Sequence, residues 1–312
     1  MGRYIIHRLI SMAITLFFII TITFFLMHAI PGGPFTREKP LPEAIIKALN
    51  EKYHLDDPIW KQYLDYWKDI LRGDLGPSFQ LANYTVNDLI AKGFPITARL
   101  GLASIIFTVL IGVPMGVISA LRQGKWEDYT TMFIAALGVT IPSFVLATIL
   151  IYLFGVVLRI FPVSSGSLTQ PIQYVLPVIA LSGYSLSFIA RLMRSSMLDI
   201  IRQDYIRTAR AKGLSELKVI YKHALKNAII PVITYLGPLA AGLLTGSFVI
   251  ERLFSIPGMG EYFVKSVGNR DYTMIMGSTI FYSVILVVMN FVVDIIYVLI
   301  DPRIKLTSSK EG

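Results

Sequence analysis

Long apolar runs alternate along the chain with shorter polar stretches. Six runs are almost free of charged residues, and they cover residues 9–30, 100–121, 130–158, 173–190, 228–250 and 273–300. Each run has about the length that an α-helix needs to cross roughly 30 Å of hydrocarbon, because a helix rises 1.5 Å per residue. The pattern predicts an all-α membrane protein with six transmembrane helices.

The one large hydrophilic segment, residues 31–99, separates the first two runs. It predicts a short helix at 43–53 and a second one that begins after Asp57 and Pro58 and ends near Gly73. The second helix carries an apolar stripe formed by Trp60, Tyr63, Leu64, Trp67, Ile70 and Leu71. A striped helix beside a membrane lies on lipid, contacts a partner or packs on its own domain. The sequence leaves these three roles open.

The composition agrees with a membrane protein. Of the 312 residues 54% are hydrophobic and 16% are charged, and the mean hydropathy is +0.62. Soluble domains carry about 25% charged residues. The chain has no cysteine, which excludes disulfides and thiolate metal sites.

The positive charge predicts the orientation of the chain. The two termini, the turn near Lys125 and the polar stretch after the fourth run carry 16 Lys and Arg residues, whereas the two short loops on the other side carry four. Positive residues accumulate on the cytoplasmic side. Both termini are therefore predicted to be cytoplasmic, the 31–99 segment to face outside, and the first helix to remain uncleaved. This rule accounts for the net charge of +9 without a nucleic-acid partner.

The sequence shows no catalytic or nucleotide-binding motif. The four histidines, His7, His28, His54 and His223, are scattered and form no metal-binding spacing. No GxxxxGK[ST] phosphate loop occurs, and no Ser/His/Asp grouping is present. We therefore predict that the chain is not an enzyme and binds neither metal nor cofactor.

Five residues within the apolar runs are candidates for a passage or for helix packing, namely Pro142, Gly237, Gly242, Gly246 and Asp294. Pro142 predicts a kink in the third run. The glycines either allow close helix packing or leave room in a pore. Asp294 pairs with a basic residue of a neighbouring helix or binds a proton or ion, as in a carrier that works alone.

The densest basic stretch, residues 202–231, reads RQDYIRTARAKGLSELKVIYKHALKNAIIP. Asp204 and Ser215 are suitable N-caps, and Gly213 suits the left-handed position that ends a helix. A helix–glycine–helix hairpin is predicted between the fourth and fifth spans, and we call it the basic hairpin. Two roles remain open, because the hairpin either receives force from a partner or is a solvated loop held by anionic lipid.

The hairpin resembles the EAA loop of the membrane subunits of ABC importers. Arg207, Thr208 and Ala209 stand at the EAA positions, Gly213 is kept after three intervening residues, and Leu225 is kept near the end, while His223 and Lys226 replace Ile and Pro of the general pattern. The form ARAKGL…HALKNA…P resembles the peptide/nickel subfamily. The resemblance implies ATPase coupling by Arg207, Thr208, Ala209, Arg210, Ala211, Lys212, Gly213, Leu214, Ser215 and Leu217.

The resemblance extends over nearly the whole chain. GRYIIHRL, PFTREKPLPE, NDLIAKGFPITARL, GSFVIERLFSIPGMG and IDPRIK are similar to B-type membrane subunits of bacterial oligopeptide permeases. It implies the type I ABC-importer permease fold with a helical extracytoplasmic segment. The expected parts are the first helix (1–30), the external segment (31–99), a core domain (100–301) that contains the coupling loop (199–227), and a cytoplasmic tail (302–312).

The family also implies the partners and the location. A second homologous permease subunit, two cytoplasmic ATPase subunits that use ATP and Mg²⁺, and an extracytoplasmic oligopeptide-binding protein are expected in the bacterial inner membrane. The chain would form half of the translocation path for oligopeptides. Import of dipeptides, nickel or oligosaccharides by the same family, and a proton-coupled carrier working alone, are the alternatives.

Overall fold

The computed structural model describes residues 2–30, 35, 43–81, 83–164, 166 and 168–300, with the side chains of 2–4, 43–46, 49 and 297–300 left out. The predicted break at PGGPF, apart from Phe35, and the predicted tail lie outside these residues. Within them the chain is helical, and one isolated β-bridge joins Pro77 and Thr85. The described part is therefore all-α, as the apolar pattern predicts.

The described residues form α-helices joined by short turns. In chain order they are α1 (Gly2–Ala29), α2 (Glu43–Lys52), α3 (Ile59–Leu71), α4 (Val86–Leu121), α5 (Trp126–Thr140), α6 (Ser143–Leu150), α7 (Val175–Ile201), α8 (Asp204–Ala211), α9 (Glu216–Lys218), α10 (Leu225–Ala228), α11 (Ile230–Leu244), α12 (Phe248–Leu253), α13 (Met259–Gly268) and α14 (Tyr272–Ile300). Two π-helical segments, Ile151–Val157 and Val219–Ala224, and one 3₁₀ turn, Pro171–Tyr174, connect them.

Four described helices are long and apolar enough to cross a membrane alone, at Ile5–Ala29, Val86–Leu121, Pro171–Ile201 and Tyr272–Ile296. Two bent helix pairs raise the number to six when each pair counts as one span. The six-span fold is thus confirmed, with four spans formed by one continuous helical stretch each and two formed by bent helix pairs.

The second span begins earlier than predicted. The helix α4 starts at Val86, whereas the apolar run starts at residue 100. Lys92 and Arg99 precede the apolar run but do not interrupt the helix, because lysine and arginine are good helix formers. In the same way α7 continues past the predicted end at residue 190 to Ile201.

Pro142 breaks the third span rather than kinking it. The helices α5 and α6 meet there at a bend of 107°. Ile141 is extended, with φ −82° and ψ 118°, because the proline ring disfavours a helical residue before it. Pro142 then serves as the N-cap of α6, where its missing N–H costs nothing. The prediction of one continuous helix at 130–158 is therefore wrong.

The fifth span is interrupted twice, first by a bend of 48° between Ala228 and Ile230, where the second arm of the basic hairpin ends and α11 begins. Predicted as one helix at 228–250, it consists of α11, which ends at Leu244, and the short α12, which Ser247 caps by accepting a hydrogen bond from the Ile250 N–H at 3.5 Å. Gly246 lies between the two helices with φ +82°, a left-handed conformation that glycine adopts without strain. The predicted small-residue pair at Gly242 and Gly246 therefore does not lie on one helix.

Two compact units divide the chain, one formed by residues 1–95 and 258–285 and the other by 96–257 and 286–312. In the first unit, α3 packs against α1 through aromatic rings. Phe17 stacks on Trp67 with centroids 5.6 Å apart, and the Tyr63 and Thr21 hydroxyls share a hydrogen bond of 2.8 Å. One part of the predicted α3 stripe thus packs on its own domain, while Trp60, Leu64 and Leu71 are exposed.

The second unit is built around α7. Small residues let its neighbours approach closely, since a Cβ on Gly116 would lie 2.5 Å from the Ala190 carbonyl and one on Gly138 would lie 2.1 Å from the Ser187 hydroxyl. The C-terminal half of α7 supplies Met193 and Met197 to the buried cluster beneath the basic hairpin.

Candidate coupling site

The basic hairpin has the predicted architecture, with two helical arms that meet at Gly213. The first arm, α8, ends at Ala211, and Gly213 follows with φ +73°. The Gly213 and Leu214 N–H groups donate to the Arg210 and Ala209 carbonyls, at 2.9 and 3.4 Å, and so close the end of α8. Gln203, and not the predicted Asp204, occupies the N-cap position of α8, because Asp204 is already its first helical residue. Ser215 precedes the second arm, which runs from α9 through a π-helical segment to α10.

The underside of the hairpin is buried against α7. Ile206, Ala209, Val219, Ala224 and Ala228 belong to one hydrophobic cluster. Together with Ile220 they place one face of each arm in the core, and Ile206 is fully buried. Because both arms share this cluster, a displacement of the hairpin would move the spanning helix beneath it.

Polar contacts also tie the two arms together. Arg210 donates two hydrogen bonds to Glu216 across the glycine turn, at 2.6 and 3.1 Å. The bond to Glu216 raises the pKa of the Arg210 guanidinium above its usual value. Asn227 donates to the Tyr205 hydroxyl at 2.8 Å. All four side chains are exposed, so these contacts fix the geometry of the hairpin and add little to stability.

The outer surface of the hairpin carries the remaining predicted coupling residues. Arg207 is exposed and approaches Asp204 at 3.5 Å, while the Thr208 hydroxyl donates to the Asp204 carbonyl at 3.0 Å. Leu217 is 69% exposed, and Tyr221 lies one turn farther along the arm and is exposed too. Lys212, Ala211 and Ser215 are also exposed, whereas Leu214 is half-buried. Apolar side chains among cations are typical of a protein-docking surface.

The candidate passage residues are spread over several elements of the second unit. Gly237 is a packing glycine, because a Cβ there would lie 2.9 Å from the Asn290 side-chain oxygen of α14. A Cβ on Gly242 would meet no atom within 4 Å. Asp294 lies half-buried on α14, Pro142 lies at the break in the third span, and Gly246 lies between α11 and α12. Among the described residues no group of three His, Asp or Glu could hold a metal ion.

The sequence analysis did not predict an ion pair between a half-buried arginine and a buried aspartate. Arg194 of α7 donates two hydrogen bonds to Asp128 of α5, at 2.7 and 2.8 Å. Ser119 and the Gly124 N–H donate to the same carboxylate. Asp128 and Arg194 lie next to apolar runs in the sequence, but their spacing does not indicate that the two side chains are in contact.

Comparisons with known proteins agree with the geometry. Residues 112–306 match the family described as binding-protein-dependent transport system inner membrane component, and residues 1–101 match its N-terminal component. The dipeptide transport system permease protein DppB of Bacillus subtilis (strain 168) is 53% identical, with 98% of this chain and 99% of that protein covered. The oligopeptide transport system permease protein OppB of Salmonella typhimurium is 44% identical, with 98% and 100% covered.

Solved structures show the same fold. The inward-facing MetNI methionine ABC transporter superposes with a TM-score of 0.54 at 22% identity, over 68% of this chain and 96% of that chain. The predicted type I permease fold is thereby confirmed. Its relatives are permease proteins, so the chain is a transport component and not an enzyme. Because family models match both parts of the chain, the protein belongs to the inner membrane components of binding-protein-dependent transport systems.

Proposed function

We propose that the chain forms half of the translocation path of a bacterial peptide importer and that its substrates include oligopeptides. The observation that carries the proposal is the basic hairpin, a two-armed surface packed onto α7 in a family whose transport depends on other subunits. The full-length similarity to dipeptide and oligopeptide permeases supports peptides as the substrate class. The motifs shared with oligopeptide permeases favour the longer peptides.

The proposed assembly contains this chain, a second homologous permease subunit, two ATPase subunits and an external oligopeptide-binding protein in the bilayer. The hairpin and both termini face the cytoplasm, and the segment that contains α2 and α3 faces outside, as the distribution of Lys and Arg favours. The chain itself binds no cofactor, because ATP and Mg²⁺ are used by the ATPase subunits. Closure of the ATPase dimer would draw the hairpins together and open the path outward.

The docking step is tested by Leu217→Asp. Leu217 is 69% exposed and belongs to no described hydrophobic cluster, so the substitution leaves the fold intact while it places a carboxylate in the proposed interface. We expect loss of the ATPase subunits on co-purification and loss of peptide-stimulated ATP turnover. Leu71→Asp, at the 80%-exposed end of α3, is the matched control and should retain both.

The substrate class is tested separately in proteoliposomes with the complete complex. Uptake of labelled dipeptides and pentapeptides is measured with the external protein and ATP. Uptake of pentapeptides supports the oligopeptide assignment, whereas uptake of dipeptides alone restricts the substrate class. A complex that imports no peptide refutes the proposed function, even when Leu217→Asp still releases the ATPases.

A further inference from the structure

Tyr184 occupies an unusual position in the second unit. It lies about 14 Å along α7 from Val175, at 1.5 Å per residue, with a longer stretch of helix after it. Yet 52% of its surface is exposed, and its hydroxyl makes no hydrogen bond within the described part of the chain. Exposed tyrosines are typical of the membrane interface, and an unpaired hydroxyl in hydrocarbon is costly. The position therefore indicates a surface that contacts water or a polar ligand.

Two further rings extend this surface, Phe188 along α7 and Tyr235 onto α11. Phe188 follows Tyr184 by one helical turn, with ring centroids 6.5 Å apart and planes at 23°. Tyr235 of α11 stacks on Phe188, with ring centroids 4.1 Å apart and planes at 29°. The three rings form a continuous aromatic ladder that joins two spanning helices, and we call it the aromatic ladder.

Beside the ladder, α11 exposes small residues. Thr234, Pro238 and Gly242 lie four residues apart and so share one face of the helix, and all three are exposed. No atom lies within 4 Å of a Cβ placed on Gly242. Open space next to an aromatic surface provides the room that an extended polypeptide needs.

The exposed face of α4 in the same unit has a different composition. The exposed residues of α4 are bulky and apolar and include Leu102, Ile106, Leu110 and Ile118. Such side chains suit contact with acyl chains. Since the aromatic ladder and the small residues of α11 break this pattern at membrane depth, they are poorly suited to face lipid.

We propose that the aromatic ladder of Tyr184, Phe188 and Tyr235 lines the translocation path and binds the peptide in transit, by hydrogen bonds to its main chain and by ring contacts with its apolar side chains. The inference rests on the proposed function. A tyrosine hydroxyl both donates and accepts, so it can pair with main-chain N–H or C=O groups in any register. The rings carry no charge and accept apolar side chains of many shapes, which suits a path that carries many sequences.

Site-specific photocrosslinking in the complete complex tests this contact. Tyr184 and Tyr235 are each replaced by p-benzoylphenylalanine, and so is Tyr152, a control that is 63% exposed among the apolar residues of the segment Ile151–Val157. A labelled pentapeptide rich in phenylalanine and free of charged side chains is the probe. We expect adducts with the peptide at positions 184 and 235 that require ATP and the external protein, and none at position 152.

Transport kinetics provide a second measurement. Tyr184→Ala and Tyr235→Ala should raise the KM for uptake of the same pentapeptide about two- to thirteenfold, because one aromatic contact contributes about 0.5–1.5 kcal/mol. Tyr152→Ala should leave it unchanged. The inference would be overturned by crosslinks at 184 and 235 to only lipid or the second permease subunit, or by a KM that is unchanged in both variants. In that case peptide import by the wild-type complex would still support the proposed function. A wild-type complex without peptide import would overturn both.

Discussion

Each unit of the molecule contains a buried aspartate that anchors an irregular connection, and the two aspartates are stabilised in different ways. In the first unit Asp271 directly precedes α14 and accepts hydrogen bonds from neutral groups, namely the Ser78 and Thr273 hydroxyls and the Phe79, Gln80 and Met274 N–H groups. In the second unit Asp128, in the first turn of α5, accepts a bidentate pair from Arg194 together with the Ser119 hydroxyl and the Gly124 N–H.

The difference follows from what each carboxylate joins. Asp271 caps its own helix and accepts hydrogen bonds from a loop distant in sequence, and the positive end of the α14 dipole stabilises its negative charge. Asp128 joins α5 to the spanning helix α7, where an unbalanced charge near hydrocarbon would be costly. An arginine makes that contact neutral. Neutral donors can therefore anchor a loop, whereas a contact between spanning helices needs a counter-charge.

The largest effect is expected from Arg194→Met, which leaves the Asp128 carboxylate buried without its counter-charge. Removing one partner of a buried pair costs about 3 kcal/mol or more. The free energy of unfolding, measured by denaturant titration in mixed micelles, should fall by about that amount. Arg191→Met, one turn earlier on α7 and exposed, is the matched control and should change it little.

The double variant Asp128→Leu with Arg194→Met sharpens this test. When both charges are removed, no uncompensated charge stays buried, and much of the lost stability should return. A double variant that is less stable than Arg194→Met would show that the pair acts through specific geometry and not through charge balance.

Asp271→Ala is expected to have the next largest effect. The substitution leaves the Phe79, Gln80 and Met274 N–H groups without this acceptor, and unsatisfied buried donors cost about 1–3 kcal/mol in total after relaxation. The same titration should show the loss. Asp88→Ala is the control, since Asp88 also accepts bonds near the start of a helix, from Thr85, but is exposed. An equal loss in both variants would contradict the role of burial.

Neither anchor could be predicted from the sequence, whereas most spans could. Uninterrupted apolar runs located α1, α7 and α14, because hydrocarbon constrains length and composition together. The Asp271 contacts join residues about 190 positions apart, and the Asp128–Arg194 pair joins residues 66 apart. Local patterns contain no information on such pairings, since they depend on which helices become neighbours.

The hairpin was predictable because its signals are local. A glycine at Gly213 determines the turn within a few residues, and Ser215 occupies the N-cap position after it without a side-chain capping bond. The Arg210–Glu216 clasp across that turn was not predicted, because an i,i+6 pair meets only when a turn intervenes. The sequence predicted only a kink at Pro142 for a related reason. Proline indicates that a helix is disturbed, but the packing of the surrounding helices determines the bend angle.

Asp271→Asn separates the capping role of this residue from its charge. Asparagine is as good an N-cap as aspartate, so the bond from the Met274 N–H is kept. The new amide N–H₂ group faces the Gln80 N–H on the other side, where two donors cannot pair. We expect a loss of about 1 kcal/mol, smaller than for Asp271→Ala. Equal losses for the two substitutions would show that the charge, and not the cap, holds the loop.

Among the single substitutions Arg194→Met, Asp271→Ala, Asp271→Asn and Ser119→Ala, the last should have the smallest effect. The Ser119 hydroxyl is one of several donors to Asp128, and Arg194 and the Gly124 N–H remain in place after its removal. A single hydrogen bond contributes about 1 kcal/mol or less when the acceptor keeps its other partners. The free energy of unfolding should therefore fall by no more than this in the wild-type background. In the Arg194→Met background the same substitution should cost more, because Ser119 then becomes one of only two described donors to a buried charge. An identical loss in the two backgrounds would mean that the serine and the arginine act independently, and that Asp128 is not held by one coupled network.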